Sequence, residues 1–154
     1  VKVEPHLIPT GIEEQTDQAR LDVSAVGLWS PFERSFLDIR VTHLTSPSYA
    51  GTSSKVLYRR HEDEKKRKYL QRVIEVEKGS FIPVVFSTTG GCGSEAETFH
   101  KGIAMLISQR RKEKYSDVMR YIRTRISFAL LRSILVSLMG CPWQIFVNKS
   151  GCDQ

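Results

Sequence analysis

The sequence is poor in the residues that staple a chain or carry it through a membrane. It has three cysteines in 154 residues, Cys92, Cys141 and Cys152, and no Cys-x-x-Cys. Three thiols cannot all pair, and at these spacings a structural zinc site from this chain alone is not expected. Such usage fits a reducing compartment. No apolar run approaches the roughly 20 residues that cross a bilayer: the most apolar stretch, within 115–139, starts in a basic half and is interrupted by Arg132. It reads as a core helix, and no membrane partner is expected. The chain opens on Val1 without a charged head and apolar segment, so no signal peptide is expected and the sequence reads as a piece of a longer one. Internal repeats are absent. His6, His43, His61 and His100 are scattered without metal-ligand spacing.

What remains is a basic, moderately apolar chain. An apolar fraction of 40% over this length fits one globular domain, able to bury about 70% of its unfolded surface. The net charge of +6 is unevenly spread. Lys55 to Arg72 holds eight Lys/Arg against Glu62, Asp63 and Glu64, and Arg110 to Arg125 holds seven against Glu113 and Asp117. Two basic segments favour a polyanionic partner; the plainer alternative is two solvated helix faces.

Periodicity predicts an α/β fold: a small mixed sheet with a central antiparallel hairpin, flanked by three helices. Residues 1–19 read as an N-terminal segment, loop apart from an extended piece at His6–Ile8. The domain proper spans 20–140, and 141–154 is an unplaced tail. Alternating apolar residues predict strands at about 20–28 and 35–43 around a turn at Ser30–Arg34. Leu37, Ile39 and Val41 take one side of the second strand, and Phe36, Asp38, Arg40 and Thr42 the other. A stretch without Gly or Pro predicts a helix over 55–77. Phe81–Phe86 reads as a buried strand in which Pro83 demands an edge or an irregular position. Ser94 is the expected cap of a helix over 95–112, and a last helix covers 115–139 with Val118, Ile122, Phe128, Leu131, Leu135 and Leu138 as its apolar stripe.

The hairpin brings two carboxylates near each other. With its turn near Pro31, Asp22 falls opposite Arg40 and Ser24 opposite Asp38, making Asp22 and Asp38 diagonal neighbours about 7 Å apart at the backbone. Two such carboxylates suit one Mg²⁺ or Mn²⁺, completed by waters and a phosphate oxygen. Arg40 returns to the same face and suits a phosphate. On the following helix, Tyr58, Glu62, Lys65, Tyr69 and Arg72 share a stripe that would add a third acid and a cation. The plain alternative is a solvent-facing hairpin with Asp–Arg pairs beside a helix with an ordinary Glu62–Lys65 pair.

The run RLD (20–22), then DIRV (38–41), then YRRHEDEKKRKY (58–69) resembles the PD-(D/E)xK nuclease pattern. More specifically it resembles the restriction-enzyme-like endonuclease of site-specific non-LTR retrotransposons. In that family the catalytic lysine has often moved from the second strand to the helix. The resemblance implies Asp22 and Asp38 as metal ligands, Lys65 as the migrated lysine, Tyr69 following it, and Arg40 and Glu62 as further catalytic candidates. Leu21 stands where the family usually has Pro, and Arg40 replaces the usual lysine of the second motif. VEP (3–5), FSTTGG (86–91) and RISFALLRS (125–133) are similar to segments that follow reverse transcriptases in animal transposable elements. The resemblance thus implies a Mg²⁺- or Mn²⁺-dependent DNA endonuclease that nicks in the nucleus, joined to a reverse transcriptase in a longer chain. Lys55, Arg59, Arg60, Lys66, Lys68, Tyr69 and Arg72 would hold the DNA backbone.

Other features of the sequence have plainer readings. Ser87–Gly93 lies between a strand and a helix, where amides cradle phosphate, but it lacks the Gly-Lys-Ser/Thr ending and reads better as a tight turn. His43 closes the second strand within reach of the acids, or is a surface histidine. Cys92 has no Cys/His/Asn pattern around it, and the Asn148-Lys-Ser150 sequon has no secretory context. Three classes stay open: a metal-dependent endonuclease, an inactive nuclease-like module that binds nucleic acid, and an interaction domain whose charges only solubilise it.

Overall fold

The computed structural model describes residues 1–7 and 20–139. In chain order they form β1 (Lys2–Val3), β2 (Val23–Val26), β3 (Arg34–Thr42), α1 (Ser54–Glu75), β4 (Ser80–Ser87), α2 (Ser94–Arg111) and α3 (Tyr115–Leu138), with a 3-10 turn at Pro47–Tyr49. The strands make one sheet in the order β1-β2-β3-β4. β2 runs antiparallel to β1 and to β3, while β3 and β4 are parallel across the α1 crossover. The chain is therefore a mixed α/β fold with the hairpin inside its sheet and three helices around it.

Hydrophobic pattern decides the layers. Phe36 of β3 and Phe81 of β4 pack under α1 with Tyr69, Val73, Leu7 and Leu21. One residue along each strand, Leu37 and Ile82 point the other way and, with Val84 and Phe86, meet Ala96 of α2 and Leu130 of α3. Helices on both faces explain why β4 is apolar almost throughout. Pro83, which has no N–H, is tolerated because β4 is an edge strand, as its sequence demanded. A smaller cluster of Ala104, Val118 and Met119 joins α2 to α3.

Four expectations are corrected. Lys2–Val3, read as loop, is a strand paired with Val23 and Ser24. His6 makes only a single bridge to Arg20, and Ile8 lies outside the described residues, as do Gly140 and the tail 141–154. The hairpin register is displaced by two: Ser24 faces Phe36, not Asp38. The turn closes from Gly27 N–H to Glu33 O (3.0 Å), which centres it on Ser30 rather than Pro31. Gly27 takes φ +76° there, where a side chain would be strained. The alternation read over 21–26 breaks at Asp22, where the chain bends: Leu21 joins the α1 side while Val23 packs on the other.

The fourth correction concerns α3. Its inward residues are Val118, Ile122, Ile126 and Leu130. Phe128, Leu131, Leu135 and Leu138, expected in the core, are exposed. No helix among the described residues is long and apolar enough to cross a membrane.

Candidate functional site

The C-terminal half of β3 faces α1 through alternate side chains, Asp38, Arg40 and Thr42, and these meet Lys65, Glu64 and His61 on the helix. A period of two on the strand thus meets turns of a helix and zips a polar row that continues from the apolar cluster under α1. At its inner end Asp38 is only 5% exposed, and its Oδ2 lies 2.6 Å from Lys65 Nζ. Burial makes that pairing necessary, since an unpaired carboxylate here would be costly. Asp22 reaches the same place from the bend just before β2. Its Oδ2 accepts the Ile39 N–H at 2.5 Å, standing in for a ladder carbonyl where the chain has bent away. Asp22, Asp38 and Lys65 therefore converge around the Asp38–Ile39 peptide, by a register other than the expected diagonal.

Arg40 is engaged differently from its expected role. Its Nη1 donates to Glu64 Oε2 at 2.9 Å. That guanidinium holds the Glu64 carboxyl below the usual carboxylate range. Glu64 in turn stands 3.6 Å from His61 Nδ1, and His61 Nε2 lies 3.5 Å from Thr42 Oγ1 and 3.4 Å from Tyr49 Oη. Burial, and then the Arg40 charge, pushes the His61 imidazole below its ordinary value. Sequence reasoning missed His61, Glu64 and Tyr49. The signal available was the match between positions 38, 40 and 42 on the strand and 61, 64 and 65 on the helix.

Glu62, expected beside the acids, is elsewhere. It is 3% exposed and faces the start of α2, where Oε1 accepts the Glu95 N–H (2.9 Å) and Oε2 accepts the Ser94 hydroxyl (3.1 Å). Gly93, not Ser94, occupies the N-cap position and supplies no side chain, so α1 provides the acceptor that helix ends require. A Cβ on Gly93 would fall 2.1 Å from Glu62 Oε1, so any other residue there would push the carboxylate off the donors it caps. The carboxylate also holds the place that a phosphate at the Ser87–Gly93 loop would need. That loop closes on itself, with Ser87 Oγ accepting from Gly91 N–H at 3.0 Å. Burial, and then Glu97, raises the Cys92 thiol pKa, opposite to what a nucleophile requires. His43 is bracketed by Thr88 (2.9 Å) and Thr45 (2.8 Å).

The outward face of α1 is cationic. Lys55, Arg59 and Arg60 are exposed, and an open groove of about 700 Å³ is lined by Val56, Arg59, Arg60, Asp63, Lys66 and Arg67. Arg67 was not singled out from the sequence. Lys66 also pairs with Glu95, and Lys68 Nζ lies 4.9 Å from the Tyr69 ring centre. Arg72 is half-buried in the last turn. Tyr69 is a correction: it is buried against Phe81, 5.8 Å between ring centres, and presents no face to a base.

Among the described residues no group of three or more His, Cys, Asp and Glu could hold a metal. Asp22 Oδ2 is engaged by the Ile39 N–H and Asp38 Oδ2 by Lys65, so each carboxylate has a second oxygen of the kind a hard divalent cation prefers. Comparison with family models, with curated proteins and with solved structures returns no match.

Proposed function

We propose that the domain is a restriction-endonuclease-like, metal-dependent nuclease that nicks DNA, with Asp22 and Asp38 as ligands of one Mg²⁺ or Mn²⁺ and Lys65 beside the scissile phosphate. The observation that carries the reading is the placing of Asp22 on the N–H of Ile39, next in the chain to Asp38, whose carboxylate lies 2.6 Å from the helix-borne Lys65. The mixed sheet with its inner hairpin and crossover helix agrees with the family resemblance. The bound cation would supply a water of lowered pKa and neutralise phosphate charge. Lys65, held at the site by Asp38 and by the ring of Tyr69 (5.8 Å), releases its ammonium to the phosphate as charge develops there. The groove along α1 holds the backbone through Arg59, Arg60, Lys66 and Arg67. In a parent chain that includes a reverse transcriptase, the nick would leave a primer end in nuclear DNA.

A second reading, a module that binds nucleic acid without cutting it, is favoured by one observation: Glu64 already occupies Arg40. The two are separated by nicking of supercoiled plasmid in Mg²⁺, alongside anisotropy of a labelled duplex over a salt series. Asp22→Asn and Asp38→Asn should each abolish nicking and leave low-salt binding intact or tighter. Lys65→Ala should slow nicking about 100-fold or more and reduce the salt slope by about one phosphate contact. Unchanged nicking in the Asp22→Asn/Asp38→Asn double variant would move the chemistry elsewhere. Salt-dependent binding without any metal-dependent nicking would leave the binding-only reading.

A further inference from the structure

The face of α3 turned away from the sheet is apolar from Phe128 to Leu138, with Tyr121 one heptad earlier across Thr124. Tyr121, Phe128, Leu131, Leu135 and Leu138 are between 56% and 78% exposed. They recur at intervals of seven, three, four and three, the spacing of a narrow heptad seam. The stripe lies opposite Ile122, Ile126 and Leu130, which hold α3 to the domain. A surface helix packed on a core is expected to turn one apolar face inward; this one carries two. The outward stripe is also larger than scattered exposed leucines account for.

Charge selects the occupant. α3 carries Arg120, Arg123, Arg125 and Arg132 against the single acid Asp117, whose Oδ1 already accepts from Arg120 at 2.6 Å. Arg125 and Arg132, seven apart, border the seam at the positions that choose partners in coiled coils. A second copy of this chain would oppose arginine with arginine. A membrane surface matches a broad apolar face, whereas this seam is two residues per heptad wide.

We propose that the outer face of α3 docks an amphipathic helix of another protein, with apolar residues at heptad spacing and acidic residues flanking them. The seam fills with the partner's apolar side chains, and Arg125 and Arg132 pair with its carboxylates. This docking is independent of the nuclease reading, since α3 lies across the sheet from Asp38 and Lys65.

The test uses the full chain and two synthetic helical peptides, each with leucine at a and d, one with glutamate and the other with lysine at e and g. Labelled-peptide anisotropy should show binding of the glutamate peptide at least about tenfold tighter than the lysine peptide, a difference of about 1.4 kcal/mol. Leu135→Gln, an exposed substitution whose fold is checked by circular dichroism, should weaken it about tenfold or more. The Arg125→Glu/Arg132→Glu double variant should reverse the preference. Equal affinity for the two peptides, no binding of either, or binding that survives the double charge reversal would each overturn the proposal. So would self-association in sedimentation that Leu135→Gln abolishes, which would name a second copy as occupant. Adsorption to phosphatidylserine vesicles through Leu135, with neither peptide bound, would name a lipid surface instead.

Discussion

At the residue scale, Glu62 shows how one carboxylate serves as the cap that another helix lacks. It accepts from Glu95 N–H and from the Ser94 hydroxyl while almost fully buried. Glu62→Ala should lower unfolding stability by about 1–3 kcal/mol, because it leaves the donors at the start of α2 unpaired. Glu62→Gln, which keeps an acceptor oxygen, should cost less. Urea midpoints of the two variants measure this, and nicking by folded Glu62→Ala should persist if the residue only caps. The sequence placed Glu62 on a stripe with Lys65, and their spacing is right. What spacing cannot show is that neighbouring positions on α1 meet different partners, Lys65 reaching β3 and Glu62 reaching α2.

At the scale of elements, α3 separates burial from hydrophobicity. Leu130 belongs to the core cluster of Leu37 and Ile82, whereas Leu135 is 57% exposed on the same helix. Leu130→Ala should therefore cost about 2–5 kcal/mol, and Leu135→Ala should stay within about 0.5 kcal/mol; thermal unfolding of the two compares them directly. Among the described residues, pattern located the three α-helices and all strands but β1 to within a few residues, since turn residues and apolar periods are local properties. Two outcomes were not local. A chain with two apolar faces on α3 does not say which one meets the sheet. The register of β2 against β3 depended on the hydrogen bond from Gly27 to Glu33, and a turn centred one residue away moves every opposed pair by two. The bend at Asp22 then let its carboxylate reach Ile39 N–H, so the two acids met by a route the alternation did not contain.

For the whole molecule, the two buried histidines couple both sides of the sheet to pH. His61 lies under α1 and His100 on α2, its ring stacked on Phe86 at 5.6 Å. Burial lowers both below 6.5, followed by Arg40 at His61 and Arg123 at His100. Between the lowered folded values and 6.5 the unfolded chain binds more protons. The neutral imidazoles' contribution is therefore fully present above pH 6.5 and lost as pH falls below it. Stability should drop from pH 7 to pH 5, with each histidine contributing at most about 1.4 kcal/mol per pH unit. His100→Gln should flatten the slope of urea midpoint against pH over this range; an unchanged slope would remove His100 from the account.

The carboxylate of Asp22 also bears on how one molecule meets the next. Among the described residues β2 pairs with β3 only as far as Leu37, so beyond the Ile39 N–H, which Asp22 takes, the strand from Arg40 to Thr42 is paired along its β4 side alone. Ile39 and Val41 are exposed there, and a half-open edge of β-branched residues is a template for strand addition and fibril growth. Asp22 fills the first donor that an incoming strand would need and sets a negative charge on the edge. A charge at that place suits a gatekeeper against aggregation. An asparagine in its place keeps the acceptor and gives up only the charge.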